Sequence, residues 1–229
     1  MNYYFVHIPK TAGNFVIRHK ISDSKFLPRL NQRGHMFGKS GMKRFNVKNG
    51  GHTSWETDTW ESYNDNPLFR NSYKFTIIRN PYDLLVSYYE HDGNGKDNGW
   101  ANCKTTHNIK SFEDFIKKIC DPNYEWHVES FKTSLFSQIY NETNEVCVKE
   151  AIRYENLVEG IEMFCDKHNI KYTNNNSFNF KSKNKKDYKS YYTDELKELV
   201  YNTYKEDFVR FGYNFDGYEG NDILINISE

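Results

Sequence analysis

Two short segments of this chain carry residue types that bind phosphate groups. The first, residues 7–14 (HIPKTAGN), lies where an apolar run gives way to residues at helical spacing. A helix N-terminus presents unpaired N–H groups and a partial positive charge, and a glycine lets the backbone approach an anion closely. Lys10 adds a full charge, which can stabilise a bridging oxygen as negative charge develops there. The segment therefore predicts a phosphate-binding loop, and an ordinary turn with a solvated lysine is the alternative.

The order of residues distinguishes this loop from a Walker-type P-loop, which also holds phosphates between a strand and a helix. In the Walker motif, Lys-Ser/Thr directly follows the last glycine, whereas here Lys10 and Thr11 precede Gly13. The first glycine of that motif is also absent. The sequence therefore favours a phosphate loop of another kind.

The second segment, residues 75–89 (FTIIRNPYDLLVSYY), combines an arginine with a serine. Arg79 ends a predicted strand, and Ser87 lies two turns into the helix that follows. A guanidinium and an inward-facing hydroxyl suit charge-assisted binding of a phosphate dianion. The alternative is a salt-bridged arginine and a serine at the edge of the core.

The elements that position these segments alternate between strand and helix. Apolar runs predict strands at residues 3–8, 73–78 and 146–148, with a short strand near residue 47. Helical spacing and capping residues predict helices at 15–21, 82–91, 112–120, 126–140 and 155–168, one around 55–63, and a final helix from Thr193 through Phe208; Asn80 with Pro81, Ser111 and Thr193 are the predicted caps. Residues 93–108 are predicted to form a mobile loop. This order favours an α/β fold with a parallel central sheet flanked by helices, and the length of 229 residues favours a single domain over 1–229.

Composition excludes several classes of protein. The 31 basic and 31 acidic side chains balance, so no overall charge marks a binder of nucleic acid or of membrane surfaces. No apolar run approaches the roughly eighteen residues of a membrane span, and the first residues do not resemble a signal peptide, so a cytoplasmic location is expected. The four cysteines lack CxxC spacing or a histidine at zinc-ligand spacing, which indicates free thiols and no metal site.

Together the two segments resemble the sulfotransferase family. The first is similar to its 5′-phosphosulfate-binding loop with Pro-Lys-Thr, and the second to its 3′-phosphate-binding segment with Arg-Asn-Pro-Tyr-Asp and a later serine. Residues 152–157 (IRYENL), 191–196 (YYTDEL) and 211–213 (FGY) extend the resemblance from about residue 4 to 215. The branch it most resembles sulfates carbohydrates and includes membrane-anchored Golgi enzymes with bacterial and viral relatives. The resemblance implies a P-loop-NTPase-like sulfotransferase fold.

The resemblance also implies a cofactor, 3′-phosphoadenosine 5′-phosphosulfate (PAPS), which leaves as 3′-phosphoadenosine 5′-phosphate (PAP). Lys10 and the backbone of Thr11, Ala12, Gly13 and Asn14 are implied to hold the 5′-phosphosulfate. Arg79 and Ser87 are implied to hold the 3′-phosphate, and Lys181 and Ser182 to close over the nucleotide, unless their segment is a solvated basic loop. One departure is Leu84, where many relatives carry an arginine that supports the direct phosphate ligands.

Transfer of a sulfuryl group needs a base that takes the proton of the acceptor hydroxyl. Residues 50–54 (GGHTS) are similar to the Gly-His-x-Ser stretch that carries the base of uronosyl 2-O-sulfotransferases. His52 is therefore the predicted catalytic base, and with Lys10 it makes up the predicted catalytic residues. The alternative is that His52 is only a hydrogen-bonded histidine at the end of a strand. Glu56 is the reserve base, and three other histidines are weaker candidates: His7, His35 and His91.

The predicted function is that of a PAPS-dependent sulfotransferase of the EC 2.8.2 type that sulfates a carbohydrate hydroxyl by in-line displacement. A peptide tyrosine, a lipid or a small metabolite is the alternative acceptor, and a nucleotide-binding module without catalysis is the alternative from another class. Nucleic acid is not an expected partner. Tryptophans such as Trp126 are candidates for stacking against sugar rings and equally for anchoring the core.

Overall fold

The computed structural model describes residues 1, 3–6, 8, 10–12, 16, 35–36, 42–48, 51–58, 70–90, 103–126, 132–139, 146, 148–172 and 186–227. For residues 35–36, 42–48, 51–58 and 103, the description covers the backbone alone.

Strands and helices alternate along the described chain. The strands are β1 (Tyr3–Val6), β2 (His35–Met36), β3 (Met42–Lys48), β4 (Gly51–Asp58), β5 (Tyr73–Ile78), β6 (Glu150–Arg153), β7 (Tyr213–Asn214), β8 (Gly217–Tyr218) and β9 (Leu224–Asn226). The α-helices are α1 (Pro81–Tyr89), α2 (Cys103–Thr106), α3 (Phe112–Cys120), α4 (Leu157–Lys167), α5 (Asp194–Thr203) and α6 (Lys205–Phe211). Short 3₁₀ helices occupy Ser137–Ile139, Tyr154–Asn156 and Tyr188–Tyr191.

The central sheet has the strand order β1-β5-β6-β9. Strands β1, β5 and β6 run parallel, and β9 pairs antiparallel with β6 at the edge. This mostly parallel sheet with its helices confirms the predicted mixed α/β class. Strands β2, β3 and β4 form a separate antiparallel sheet, and β7 and β8 form a hairpin. No helix within the described residues is long and apolar enough to cross a membrane.

Helices cover both faces of the central sheet because its strands bury alternate residues on opposite sides. Tyr4, Val6 and Ile78 belong to one apolar core with side chains of α1, α3, α5 and α6. Tyr3 and Phe75 belong to a second core, which is formed with α4. Burial on both faces is typical of parallel strands and explains why β1 (YYFV) is a continuous apolar run.

Gly160 lets α4 lie directly against β6. A Cβ at this position would overlap Cγ2 of Ile152 and lie 3.0 Å from Cγ2 of Ile223. We therefore expect Gly160→Ala to lower the free energy of unfolding by about 1–3 kcal/mol, because overpacking outweighs the better helix propensity of alanine. Urea unfolding measures this change. Val158→Ala is the control, since Val158 is exposed on the same helix; equal or greater stability of Gly160→Ala would contradict the prediction.

The predicted helix caps are confirmed. The Asn80 side chain accepts a hydrogen bond from the backbone N–H of Tyr82 (3.0 Å), and Pro81 is the first residue of α1. Ser111 and Thr193 cap α3 and α5 in the same way. The final helix differs from the prediction because it divides into α5 and α6 at Tyr204.

The predicted third strand was misplaced. Within 146–148, Val146 forms only an isolated bridge, and the strand begins at Glu150. The hydrophobic pattern did not predict β6 because this strand buries two charged residues. The Glu150 carboxylate contacts Lys167 and lies 2.7 Å from Nε2 of His168, and Arg153 donates to the backbone carbonyl groups of Asp222 and Phe211 at 2.8 Å.

The helix predicted at 126–140 is wrong in its described part. Residues 132–139 form turns and one 3₁₀ helix. The Asp207 carboxylate accepts hydrogen bonds from the backbone N–H groups of Leu135 and Phe136, both at 2.8 Å. In a continuous helix these N–H groups would donate to backbone carbonyl groups of the same helix. Here they donate to Asp207, a residue far away in the chain, and this contact holds the segment as turns and a 3₁₀ helix.

Two other predictions also need correction. The helix around 55–63 is wrong at its start because Trp55 to Asp58 belong to β4, where Trp55 and Thr57 suit an extended backbone. The loop at 93–108 contains helix α2, and residues 93–102 lie outside the described part. The helix predicted at 15–21 also lies outside it, except for Val16, which is helical.

Candidate functional site

The two predicted phosphate segments meet at one edge of the central sheet. Because β1, β5 and β6 are parallel, their carboxyl ends lie together, and Lys10, Arg79 and Tyr154 follow them in the chain. Nη1 of Arg79 donates a hydrogen bond to the backbone carbonyl of Lys10 at 2.8 Å. Ligand sites of parallel α/β sheets lie at this edge, so the contact identifies it as the candidate functional site.

The loop after β1 has an unusual backbone. Lys10 and Ala12 have φ angles of 62° and 71°, in the left-handed region that non-glycine residues seldom adopt. Between them, Thr11 is fully buried, and its hydroxyl donates to the carbonyl of Ile8 at 2.8 Å. Backbone with alternating left-handed residues directs successive N–H groups into a concavity that suits an anion. Sequence patterns missed this feature because neither left-handed residue is a glycine.

Arg79 is buried and held on several sides. Its Nε and Nη2 atoms each lie 2.7 Å from Oδ2 of Asp83, one turn later in α1. The guanidinium carbon lies 4.0 Å from the centre of the Tyr154 ring, and only 3% of the residue is exposed. Arg79 therefore forms a salt bridge, which was the alternative to phosphate binding that the sequence analysis gave for this residue. A guanidinium carries five N–H donors, so these contacts do not exhaust its capacity for a phosphate.

Asn80 and Glu155 connect this edge to the β7–β8 hairpin. The backbone N–H of Asn80 donates to Oε1 of Glu155 at 2.8 Å, and the Asn80 amide donates to the carbonyl groups of Asn214 and Gly217. Oε2 of Glu155 accepts from the Tyr213 hydroxyl at 3.0 Å. Burial raises the pKa of Glu155 despite these hydrogen bonds and the nearby Arg79 charge. Sequence reasoning placed Glu155 in a family-like stretch without seeing this role.

Ser87 and Leu84 differ in their surroundings on α1. Ser87 is half-buried, and its hydroxyl makes no hydrogen bond within the described part of the chain. Leu84 is 6% exposed and belongs to the apolar core. Packing therefore replaces the polar support expected at that position.

The candidate bases lie on the antiparallel sheet, for which only the backbone is described. His52 pairs with Val47 and Glu56 pairs with Arg44, and the register shifts between Asn46 and Val47. Paired residues share a face of a sheet, and successive residues along a strand alternate. Val47 and Arg44 are three positions apart on β3 and so lie on opposite faces. His52 and Glu56 are four positions apart on β4, but the register shift adds one residue to β4 between them, so the register assigns them to opposite faces as well.

The remaining predicted site residues lie away from this edge or outside the described part of the chain. Six lie outside the described residues: Gly13, Asn14, Lys181, Ser182, His7 and His91. His35 lies in β2. Trp126 is 6% exposed and stacks on His107 with ring centres 4.0 Å apart, so it anchors the core. The described residues contain no cluster of His, Cys, Asp or Glu that would hold a metal ion.

Comparison with known proteins defines the class. The model of the sulfotransferase family matches residues 2–214. Because this match covers most of the chain, the chain belongs to the sulfotransferase family, whose members transfer sulfuryl groups and generally use PAPS as donor. No curated protein and no solved structure matches the chain.

Proposed function

We propose that this chain is a PAPS-dependent sulfotransferase that sulfates a carbohydrate hydroxyl. Family membership supports sulfuryl transfer. The observation that carries the choice of donor is the contact between the two phosphate segments, in which Arg79 donates to the Lys10 carbonyl at the carboxyl edge of the parallel sheet. A nucleotide with phosphates on both its 5′ and 3′ sides needs two such adjacent groups of donors. The proposal takes residues 1–229 as one domain with a P-loop-NTPase-like fold.

The donor set fits this cofactor. Lys10 supplies a cation, and the left-handed backbone at Lys10 and Ala12 favours a concavity that suits an anion. The backbone of Thr11, Gly13 and Asn14 is also proposed to hold the 5′-phosphosulfate. Arg79 and Ser87 are proposed to bind the 3′-phosphate, with Lys181 and Ser182 closing over the nucleotide. When bound, PAPS supplies the sulfuryl group and is released as PAP.

Two residues are proposed to act on the reacting atoms. The ammonium of Lys10 stabilises negative charge on the oxygen that bridges the 5′-phosphate and the sulfuryl group, which lowers the barrier to its departure. His52 accepts the proton of the acceptor hydroxyl as the new bond to sulfur forms. Glu56 remains the reserve base.

The carbohydrate acceptor rests on the similarity of residues 50–54 to the histidine stretch of uronosyl 2-O-sulfotransferases. The acceptor assignment uses this one segment, whereas the donor assignment uses two segments that are in contact. A screen of oligosaccharides, tyrosine peptides, lipids and small phenols for sulfation decides among the acceptors. Sulfation of a peptide or phenol with none of any saccharide would remove the carbohydrate assignment and leave the donor assignment intact.

Calorimetric binding of PAP, ATP and ADP to wild type and Arg79→Ala tests the donor. We expect micromolar binding of PAP, feeble binding of ATP, and at least tenfold weaker binding of PAP to Arg79→Ala, because a charge-assisted contact contributes about 1.5–3 kcal/mol. Arg210→Ala is the matched control, since Arg210 also contacts a carboxylate and a ring, Glu206 and Phe136, but on α6. Preference for ATP would contradict the sulfotransferase assignment, and tight PAP binding without transfer to any acceptor would indicate a non-catalytic module.

A further inference from the structure

We propose that Arg79 is a positioning residue for the loop Lys10–Ala12, in addition to any contact it makes with a 3′-phosphate. Through Arg79, the loop that receives the 5′-phosphate would depend on β5, α1 and β6. The identity of the ligand rests on the proposed function. The inference that Arg79 holds the loop in position rests on the contacts alone and does not depend on which ligand binds.

The conformation of the loop Lys10–Ala12 has an energetic cost. Left-handed backbone at a non-glycine residue costs about 1 kcal/mol or more, and Lys10 and Ala12 both adopt it. Such strain persists only where neighbouring groups hold the backbone. Described hydrogen bonds that hold this loop include those from the Thr11 hydroxyl to the Ile8 carbonyl, from the Val16 N–H to the Ala12 carbonyl at 3.4 Å, and from Arg79 to the Lys10 carbonyl at 2.8 Å. Of these three, the bond from Arg79 is charge-assisted and comes from a residue far away in the chain, directly after β5.

The guanidinium of Arg79 is held firmly by its neighbours. Oδ2 of Asp83 lies 2.7 Å from both Nε and Nη2, which fixes the plane of the group, and the Tyr154 ring covers one face at 4.0 Å. With 3% of Arg79 exposed, water competes weakly for these contacts, so each is stronger than on the surface. A donor held in this way can impose a position on the Lys10 carbonyl.

Ligands with and without a 3′-phosphate distinguish a positioning role of Arg79 from direct binding alone. If Arg79 only binds a 3′-phosphate, its replacement should weaken ligands that carry a 3′-phosphate and leave adenosine 5′-monophosphate unaffected. If Arg79 positions the loop, its replacement should also weaken adenosine 5′-monophosphate, which has no 3′-phosphate. A general loss of stability would also weaken both kinds of ligand, so the hydrogen exchange of α5 is the control for it.

The experiment compares wild type with Arg79→Lys, which keeps the charge and loses the planar fork of donors. We expect the affinity for adenosine 5′-monophosphate to fall on the order of tenfold, the size of one charge-assisted hydrogen bond. Arg210→Lys is the control and should change no affinity. Unchanged binding of adenosine 5′-monophosphate to Arg79→Lys, with weakened binding of adenosine 3′-monophosphate, would overturn the positioning role.

Hydrogen exchange on the ligand-free protein gives a second readout. Thr11 is fully buried, so its amide exchanges only when the loop opens. We expect faster exchange in the peptide that contains Lys10–Ala12 for Arg79→Lys and for Asp83→Ala, with exchange of α5 unchanged. Unchanged exchange at the loop in both variants would overturn the proposal. If wild type binds none of the adenosine phosphates, the proposed function fails, and exchange still decides the positioning role.

Discussion

Lys10→Ala should lower kcat for sulfuryl transfer on the order of 10²- to 10³-fold, the size of effect seen when a group that stabilises developing charge is removed. Lys10 follows β1 at the edge where Arg79 also lies, and its carbonyl is fixed by that arginine. The backbone therefore holds the position from which the ammonium extends. Alanine keeps a Cβ, so the substitution removes the charge without changing the steric cost of the φ of 62°.

Steady-state kinetics of PAP release in the presence of acceptor measure this effect. Lys10→Gly is the informative control, because glycine relieves the left-handed strain while it also removes the charge. Both variants should be similarly slow if the ammonium matters. Lys117→Ala should retain full activity, since Lys117 is an exposed lysine paired with Glu113 on α3. A raised KM with unchanged kcat in Lys10→Ala would show that Lys10 only binds the donor.

Local signals in the sequence were enough to predict the elements on which the site is built. The strand before Arg79 (YKFTII) is rich in aromatic and β-branched residues, and Asn80 with Pro81 begins the next helix as predicted. Because the predicted strand leads directly into a capped helix, the sequence pattern located the carboxyl end of β5, and with it this edge of the sheet. The salt bridge from Arg79 to Asp83 also lay within reach of sequence reasoning, since the two residues are one helical turn apart.

What the sequence did not reveal depends on contacts between distant residues. The hydrogen bond from Arg79 to the Lys10 carbonyl joins residues 69 positions apart, and the Tyr154 ring comes from the 3₁₀ helix that follows β6. The strand β6 was misplaced because Glu150 reads as a surface residue, although Lys167 and His168 compensate its burial. Pattern rules assign such charged residues to solvent, so they fail where a tertiary partner satisfies the charge.

His52→Ala should lower kcat by about 10²- to 10⁴-fold, the range expected for loss of a general base. The affinity for PAP should stay unchanged because the proposed role concerns the acceptor hydroxyl. Wild type should lose activity at low pH, in the range where histidines titrate, at about pH 6–7. The kinetic pH profile of His52→Ala should lack this acid limb, since no base remains to be protonated there.

Glu56→Gln is the matched test of the reserve base, because both residues lie on β4 and the register assigns them to opposite faces. A hydroxyl bound against one face of this sheet can be served by the base on that face alone, so the two substitutions should not have equal effects. We expect Glu56→Gln to retain most of the activity and the acid limb. The reverse result, a slow Glu56→Gln and an active His52→Ala, would place the acceptor on the other face of the antiparallel sheet and make Glu56 the base. Wild-type activity of both variants would exclude His52 and Glu56 as the base, while the donor site at Lys10 and Arg79 would stand on its own measurements.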